Sequence, residues 1–204
     1  LEDTVEADLV VPVPDSGNAA AIGYSHEKKI NFELGLIRNH YVGRTFIEPS
    51  QKIRSLGVRL KLNANKSSIE VKSIILVDDS LVRGTTSLKI VKMLYDAGAK
   101  EVHLRIACPE IKYPDFYGVD MPTKKELLAA NKSVEEICEY VKAKSLKFLS
   151  IKGLYKALGF QERNNTTPQL TDHYFTGEYP IKLVDQLGDS KITQLSLLSS
   201  GSNI

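Results

Sequence analysis

The stretch KSIILVDDSLVRGTTSLKIVKML, residues 72–94, decides the fold. In it an apolar run is followed by two carboxylates, a short polar loop and a stripe of apolar residues at helical spacing. A short, continuous apolar run is typical of a strand that is buried on both faces of a parallel sheet. The stretch therefore predicts a β-strand that ends at Asp78 and Asp79, a loop that contains Gly84, and a helix that ends at Gly98.

Strand and helix patterns continue on both sides of this stretch. Residues 7–14 (ADLVVPVP), 30–39 (INFELGLIRN) and 101–108 (EVHLRIAC) are predicted strands, and residues 17–29 (GNAAAIGYSHEKK) are a predicted helix. Because a strand, a helix and a second strand joined by short connections form a right-handed crossover unit, we predict the α/β class, with a doubly wound, mostly parallel sheet flanked by helices. The remaining predicted elements are helices at 123–130, 133–143 and 151–158, a strand at 145–150, and a long loop at 39–68.

Composition excludes several classes of function. The 204 residues carry a net charge of +2, so no overall excess of charge predicts nucleic acid as a partner. Cys108 and Cys138 lack the spacing of a zinc site or a disulfide framework, and we predict two buried free thiols. No apolar run is long enough for a membrane span and the first residues lack the pattern of a signal peptide, so we predict a cytoplasmic protein without membrane contact.

Polar groups gather where the predicted central strand ends. In an open parallel sheet, ligands bind outside the carboxyl ends of the strands, where Asp78 and Asp79 fall. The backbone N–H groups of residues 83–87 and the adjacent hydroxyls would form an anion cradle at a helix N-terminus, and Gly84 permits a positive φ there. Because carboxylates suit a vicinal diol or a hard cation, the combination predicts a ribose 5-phosphate site. The alternative is that Asp79 or Ser80 caps the helix and the Thr-rich loop is only a turn.

Residues 74–87 (IILVDDSLVRGTTS) resemble the phosphoribosyl diphosphate (PRPP) signature of type I phosphoribosyltransferases, and more narrowly that of the glutamine PRPP amidotransferase family. Three further segments resemble this family in the same order. Residues 11–24 are similar to its pyrophosphate loop, residues 35–63 to its flexible catalytic loop, and residues 113–137 to the segment that covers the nucleobase side of its pocket. The resemblance covers residues 7–158 and implies a type I phosphoribosyltransferase fold.

The resemblance also implies a role for each matching residue. Asp78 and Asp79 would bind the ribose 2- and 3-hydroxyls and, with Ser16, would hold Mg²⁺ directly or through water. Such a metal ion neutralises the diphosphate leaving group while a nucleophile attacks C1 of the ribose. The residues implied to bind the 5-phosphate are Ser80, Arg83, Gly84, Thr85, Thr86 and Ser87, and those implied to lie against the pyrophosphate are Asp15, Ser16 and Gly17.

A basic segment supports a polyanionic substrate independently. Residues 38–66 contain seven basic side chains and a single acid, Glu48. A flexible cationic segment suits a lid that closes over a polyanion and excludes water, so we predict that residues 39–63 are poorly ordered without ligand. The alternatives are a solvated loop without a task and a nucleic-acid patch, the latter disfavoured because aromatic residues are sparse and the two carboxylates would repel phosphates. The resemblance assigns the catalytic role of the lid to Tyr41, Arg44 and Thr45, with His40 standing where the family usually has Arg.

Two departures from the family pattern bear on cofactors and partners. Some members carry cysteines that hold an iron–sulfur cluster at the positions of Asp115, Thr171 and Tyr174, and without thiolates we predict no cluster here. Members of the family also begin with the N-terminal Cys of a glutaminase domain, whereas this sequence starts close to the pyrophosphate loop. We therefore expect either a fragment or a gene product that comprises only the transferase half.

The expected activity is the formation of 5-phosphoribosylamine and diphosphate from PRPP, the first step of de novo purine synthesis. Because neither cysteine is N-terminal or near an evident base, we expect ammonia rather than glutamine to be the nitrogen source. A glutaminase partner in trans and assembly into a homo-oligomer are left open. A nucleobase phosphoribosyltransferase is disfavoured by the lid, and the competing class is a non-catalytic protein that binds PRPP or nucleotides. Residues 1–160 are predicted to be the transferase domain and residues 161–204 a partly irregular extension.

Overall fold

Five strands form one parallel sheet in the computed structural model, which describes residues 5–39, 62–118 and 123–181. These strands are β1 (Leu9–Pro12), β2 (Asn31–Phe32), β5 (Ser73–Asp78), β6 (Glu101–Ile106) and β7 (Ser145–Phe148). Their spatial order is β2-β1-β5-β6-β7, and every neighbouring pair is parallel. Two further strands, β3 (Leu36–Arg38) and β4 (Leu62–Ala64), pair antiparallel in a small second sheet.

Most helices of the described residues lie between successive strands, and the last two follow β7. They are α1 (Asn18–Lys28), α2 (Lys66–Ile69), α3 (Thr85–Asp96), α4 (Leu128–Asn131), α5 (Val134–Val141), α6 (Ile151–Ala157) and α7 (His173–Thr176), with a 3₁₀ turn at Lys124–Glu126. Over the described part of the chain, none of them has the length and apolar character needed to cross a membrane.

The alternation of side chains along β1 and β5 sends apolar residues to both faces of the sheet. On one face, Val10, Ile75 and Val77 pack with Ala21 and Tyr24 of α1. On the other face, the core comprises Leu9, Val11, Ile74 and Leu76 of the sheet, Ile90, Val91 and Leu94 of α3, and Ile137 of α5. Because α1 and α3 cover opposite faces, the sheet is doubly wound, which confirms the predicted fold class.

Several element predictions are confirmed in detail. The predicted central strand ends at Asp78, and the helix after it begins at Thr85. The helix predicted at 133–143 begins at Val134 and is capped by a capping box: the Ser133 hydroxyl accepts a hydrogen bond from the Glu136 backbone N–H (3.2 Å), and the Glu136 carboxylate accepts one from the Ser133 N–H (2.7 Å).

Three predictions of local structure are wrong. Residues 30–39 form two strands rather than one, because the chain leaves the sheet at Gly35, where a Cβ would lie 2.9 Å from side chains of Val11 and Ile69. The described end of the predicted long loop, residues 62–69, contains β4 and α2. The predicted helix at 123–130 is divided because Leu127 adopts an extended backbone, and its side chain is fully buried.

The segment after α6 folds back onto the loop that follows β6. The carbonyl oxygen of Tyr174 accepts hydrogen bonds from the backbone N–H groups of Lys112 (2.9 Å) and Tyr113 (3.1 Å), and the Tyr179 hydroxyl donates to the carbonyl of Pro114 (2.9 Å). Residues 161–181 are called the C-terminal segment below. Their contacts are with a loop at the carboxyl edge of the sheet, the edge at which ligands bind in this architecture.

Candidate functional site

A cavity of about 440 Å³ lies between the carboxyl ends of β1 and β5. The strand order reverses there, since the chain moves from β1 to β2 on one side and from β5 to β6 and β7 on the other. Crevices at such reversal points are where open α/β sheets bind ligands. The cavity is therefore the candidate functional site on the basis of topology alone.

Two carboxylates stand at the β5 side of the cavity in different environments. Asp78 is the last residue of the strand and is buried, whereas Asp79 has left the sheet and is exposed. The backbone N–H of Asp79 donates to the Asp78 carboxylate over 2.9 Å. Burial, followed by the side-chain hydrogen bond and the negative charge of Asp79, raises the pKa of Asp78 to about 8, and the backbone N–H of Asp79 offsets only part of this rise. Asp78 therefore holds a proton at neutral pH unless a cation or another positive group offsets its burial.

The loop after the carboxylates presents the N-terminus of α3 to the same cavity. Gly84 is the N-cap residue with φ +70°, which explains the need for glycine, and no side chain of the described residues caps the helix. Its first-turn N–H groups are therefore available to an anion, with the helix dipole in support. The capping explanation for Asp79 and Ser80 is wrong, because neither side chain occupies the cap position.

The loop after β1 faces residues 79–84, called the β5–α3 loop below, across the cavity. The backbone N–H of Val13 donates to the Val77 carbonyl over 2.8 Å, and the Gly17 N–H donates to the Val13 carbonyl over 2.9 Å. A Cβ at Gly17 would lie 2.9 Å from the Val13 carbonyl oxygen and closer still to that of Val77. Glycine is therefore required at this position because the loop after β1 packs closely against the end of β5, and Ser16 lines the cavity.

Arg38, at the end of β3, brings a positive charge to the cavity. Its guanidinium pairs with the carboxylate of Asp15, and both side chains are more than one third exposed. Sequence reasoning placed Arg38 only in the basic segment and did not single it out. No local signal could have done so, because the pairing depends on where the second sheet lies relative to the loop after β1.

The cavity brings most of the sequence-predicted site residues together. Those that line it are Ser16, Asp78, Asp79, Ser80, Arg83, Gly84, Thr85, Thr86 and Ser87. Asp15 and Gly17 do not line it. Asp15 pairs with Arg38, which does line the cavity, and Gly17 packs against the backbone of Val13 and Val77. Tyr41, Arg44 and Thr45, together with His40 and most of the predicted lid, lie outside the described residues. The lining residues that were not predicted are Val13, Pro14, Arg38, Leu62, Leu81, Val82 and Ile90.

The donor set at the cavity fits a magnesium ion. Two adjacent carboxylates and the Ser16 hydroxyl supply hard oxygen ligands. Within the described ranges, no three His, Cys, Asp or Glu side chains gather as a metal cage. Mg²⁺ takes one or two carboxylates and completes its shell with water and substrate oxygens, so the pair of Asp78 and Asp79 suits it.

The positions where some relatives hold an iron–sulfur cluster carry a different donor set. The Asp115 carboxylate and His173 Nε2 form a hydrogen bond of 2.8 Å between two buried side chains. Thr171 has a hydroxyl group and Tyr174 has a phenol. Cluster ligands are cysteine thiolates, so these side chains do not fit one. The absence of a cluster stays a prediction.

Comparison of the sequence with known proteins finds relatives that match most of this chain. No protein-family model matches the chain. An amidophosphoribosyltransferase of Rhizobium etli is 58% identical over 200 residues, which are 98% of this chain and 40% of that protein. An amidophosphoribosyltransferase of Bacillus subtilis is 51% identical over 182 residues, 89% of this chain and 38% of that protein.

A solved structure extends the match to three dimensions. It is glutamine phosphoribosylpyrophosphate amidotransferase from B. subtilis complexed with ADP and GMP, which aligns with a TM-score of 0.79 at 50% identity. The alignment covers 91% of this chain and 40% of that one. The chain thus spans about two fifths of the length of these relatives.

The parallel sheet, its helices on both faces and the structural match define a type I phosphoribosyltransferase fold. More narrowly, the chain is a homologue of the amidophosphoribosyltransferases over the part of them that it spans.

Proposed function

We propose that this chain is the PRPP-binding transferase part of an amidophosphoribosyltransferase, forming 5-phosphoribosylamine and diphosphate for purine biosynthesis. The observation that carries this proposal is one cavity that holds a carboxylate pair and an uncapped helix N-terminus together. In a ribose 5-phosphate, the diol can donate hydrogen bonds to the carboxylate pair, and the phosphate can accept hydrogen bonds from the helix N-terminus. The names of the homologous proteins support the same activity.

Each wall of the cavity has a task in this proposal. Asp78 and Asp79 accept hydrogen bonds from the ribose hydroxyls, and the N–H groups and hydroxyls of residues 84–87 hold the 5-phosphate. Ser16 and Arg38 lie on the opposite side and face the diphosphate. Held at both ends, the ribose presents C1 to a nucleophile in a fixed geometry, which is the main source of rate in such transfers.

The chemical step needs little covalent help from the protein. The nitrogen lone pair forms a bond to C1 while the bond from C1 to the diphosphate oxygen breaks, and the electron pair leaves with the diphosphate. The added nitrogen then loses a proton to solvent. Mg²⁺ held by Asp78, Asp79 and Ser16 would offset the charge that develops on the diphosphate. Tyr41, Arg44 and Thr45 are proposed to complete the site when residues of the lid close over it.

Ammonia is the proposed nitrogen source for the chain alone, because its neutral form already carries the attacking lone pair. Glutamine requires an activated nucleophile, and both cysteines are poor candidates. Burial and then the charges of Asp79 and Asp78 raise the pKa of the Cys108 thiol to about 12, and burial also raises the pKa of Cys138. A cytoplasmic location is part of the proposal, whereas a glutaminase partner in trans and assembly into a homo-oligomer are left open.

Nucleotide binding without turnover is a second candidate. The solved relative from B. subtilis is a complex with ADP and GMP. A nucleoside monophosphate carries the same diol and 5-phosphate as PRPP, so the same cavity would bind it. Turnover separates the two candidates, because a regulatory protein binds PRPP and releases no diphosphate from it.

Binding is tested first, by calorimetry with PRPP and Mg²⁺. Asp79→Asn is expected to weaken binding by about 1.5–3 kcal/mol, the usual size of a charge-assisted hydrogen bond. Asp96→Asn is the matched control, since it makes the same change on an exposed residue at the far end of α3. Equal affinities of the wild type and Asp79→Asn for PRPP would contradict the proposal that the carboxylate pair binds the substrate.

Turnover is tested by diphosphate release from PRPP at mildly alkaline pH. Release with ammonium, rising with pH as free ammonia increases, and no release with glutamine is the expected result. Release with glutamine by the purified chain would contradict the proposed nitrogen source. Binding with no release from either would favour the nucleotide-binding candidate.

A further inference from the structure

A segment outside the lining of the cavity contacts the β5–α3 loop at two points. The backbone N–H of Leu128 donates to the carbonyl of Val82 over 2.9 Å. Two residues earlier, the Glu126 carboxylate accepts a hydrogen bond from Arg83 Nε over 3.2 Å. Glu126 is not among the residues that line the cavity, whereas Arg83 is.

Glu126 is itself fixed by the turn on which it lies. Its second oxygen, Oε2, faces the backbone N–H and the hydroxyl of Thr123, each at 3.3 Å, in a capping box of the 3₁₀ turn. The two oxygens of one carboxylate therefore bind different partners, the turn through Oε2 and Arg83 through Oε1. This arrangement restricts rotation of the carboxylate and gives Arg83 a stationary partner.

The bond to Nε leaves the outer edge of the Arg83 guanidinium available. Among the described residues, Glu126 is the only hydrogen-bond partner of this side chain, so its two terminal nitrogens make no such bond. These nitrogens form the planar edge that binds a phosphate through two parallel hydrogen bonds. An arginine held by Nε alone is thus oriented without losing its anion-binding edge.

We propose that Glu126 is a positioning residue for Arg83, which holds the arginine at the rim of the cavity so that its outer edge binds the 5-phosphate of the substrate. The inference rests on the proposed function, since it requires a phosphate in the cradle. Arg83 is a long side chain and is 54% exposed, so without a partner it would sample many rotamers. Because Glu126 already restricts the rotamers of Arg83 in the ligand-free protein, Arg83 loses less conformational entropy when the ligand binds.

A double-mutant cycle tests the proposal by calorimetry with PRPP and Mg²⁺. Glu126→Gln is expected to weaken binding by about two- to fivefold, the range for an exposed ion pair. Arg83→Gln is expected to weaken it by about tenfold or more, since it removes the charge itself. If Glu126 acts through Arg83, the double variant binds no more weakly than Arg83→Gln. With ammonia as the second substrate, Glu126→Gln is expected to raise KM for PRPP and to leave kcat unchanged.

Glu70→Gln is the matched control, because Glu70 forms an exposed ion pair with Lys66 outside the lining of the cavity. It removes the same charge and is expected to leave binding unchanged. Equal affinities of Glu126→Gln and Glu70→Gln would overturn the proposal, and so would additive losses in the double variant, which would mean that Glu126 supports only the turn. Failure of the proposed function is distinguishable, because the wild type itself would then bind no PRPP.

Discussion

Asp78 shows at the scale of one residue how the site conflicts with stability. Its carboxyl titrates near 3.8 when unperturbed, and burial together with Asp79 raises the pKa to about 8 in the folded chain. The folded form therefore binds this proton more tightly than the unfolded form does. The contribution of the group to stability is complete below the unfolded pKa of 3.8, and it is lost as the pH rises towards 8.

The first prediction follows from that sign. Asp78→Asn removes the titration and retains an oxygen that can accept the N–H of Asp79. The ligand-free variant is expected to match the wild type at about pH 4 and to exceed it at about pH 9 by a few kcal/mol, because each tenfold difference in proton affinity between the folded and unfolded forms is worth about 1.4 kcal/mol. Urea unfolding of both proteins across this range measures the difference. A difference that does not grow with pH would contradict the buried, protonated carboxyl.

The thiols give a second prediction at the same scale. Because the pKa of Cys108 is raised to about 12 and that of Cys138 is also raised, both remain thiols at mildly alkaline pH. Since the thiolate is the nucleophile, alkylation of Cys108 by iodoacetamide is expected to be roughly a thousandfold slower than that of an unperturbed cysteine. Mass spectrometry of the native and the urea-unfolded chain measures both sites. Rapid labelling of native Cys108 would show an activated thiol beside the carboxylates.

The sequence predicts the parts of the site that are local. Asp78, Asp79 and Gly84 follow from a buried strand, its end and a positive φ at a helix start, all within one short stretch. The pair between Asp15 and Arg38 is not local, because it joins residues 23 positions apart on different elements. Neither hydrophobic periodicity nor turn-forming residues in the sequence could predict this ion pair.

At the scale of elements, the six-residue strands were predictable and the shorter ones were not. β5 is a nearly continuous apolar run, whereas β6 alternates polar residues with Val102, Leu104 and Ile106, and both patterns are typical of strands. β2 and β3 have two and three residues, and the sequence does not separate them because both belong to one apolar stretch. Their division follows from close packing of Gly35 against β1, which is a tertiary effect.

A pair of glycines tests the connection between β1 and α1. A Cβ at Gly17 would collide with backbone oxygens of Val13 and Val77, whereas at Gly23, in the middle of α1, it would meet open space. Gly17→Ala is expected to lower the free energy of unfolding by about 1–3 kcal/mol. Gly23→Ala is expected to raise it by about 0.5–1 kcal/mol, because alanine favours the helix.

Thermal and urea unfolding of the two variants provide the measurement, with each serving as the control for the other. Gly17→Ala is also expected to weaken PRPP binding, because the loop that carries Ser16 must move. Equal stability of the two variants would show that the loop after β1 is not in close contact with the end of β5.

At the scale of the whole molecule, the C-terminal segment is joined to the rest by buried charges. The Asp172 carboxylate is 2% exposed and accepts hydrogen bonds from Arg163 Nε (2.6 Å) and from the Tyr155 hydroxyl (2.8 Å). The neighbouring His173 pairs with Asp115. The bonds of Tyr155 and Asp115 link α6 and the loop after β6 to residues whose polar sequence predicted an irregular extension, whereas the Arg163 bond lies within that segment. The predicted boundary at residue 161 stays untested, since composition cannot reveal pairs so far apart in sequence.

The electrostatics of Asp172 give the direction of its effect. Burial alone would raise the pKa of this carboxyl, but the hydrogen bonds from Arg163 and Tyr155 outweigh burial and hold the pKa below its ordinary value. Its stabilising contribution is therefore present above the unfolded pKa, and it is lost as the pH falls through the lower folded pKa. At neutral pH the full contribution is present.

Asp172→Asn is accordingly expected to lower the free energy of unfolding at neutral pH by about 1.5–3 kcal/mol, since it weakens the charge-assisted hydrogen bonds from Arg163 and leaves Glu178 as the carboxylate partner of that arginine. Because the C-terminal segment hydrogen-bonds to Lys112 and Tyr113, hydrogen exchange is expected to increase in the loop of residues 112–118 as well as in residues 161–181. Glu110→Gln is the matched control, since it breaks a partly exposed pair with Lys112 and is expected to change stability by less than about 0.5 kcal/mol. Faster exchange confined to residues 161–181, with the loop unchanged, would mean that the segment rests on the domain without holding the edge of the sheet in place.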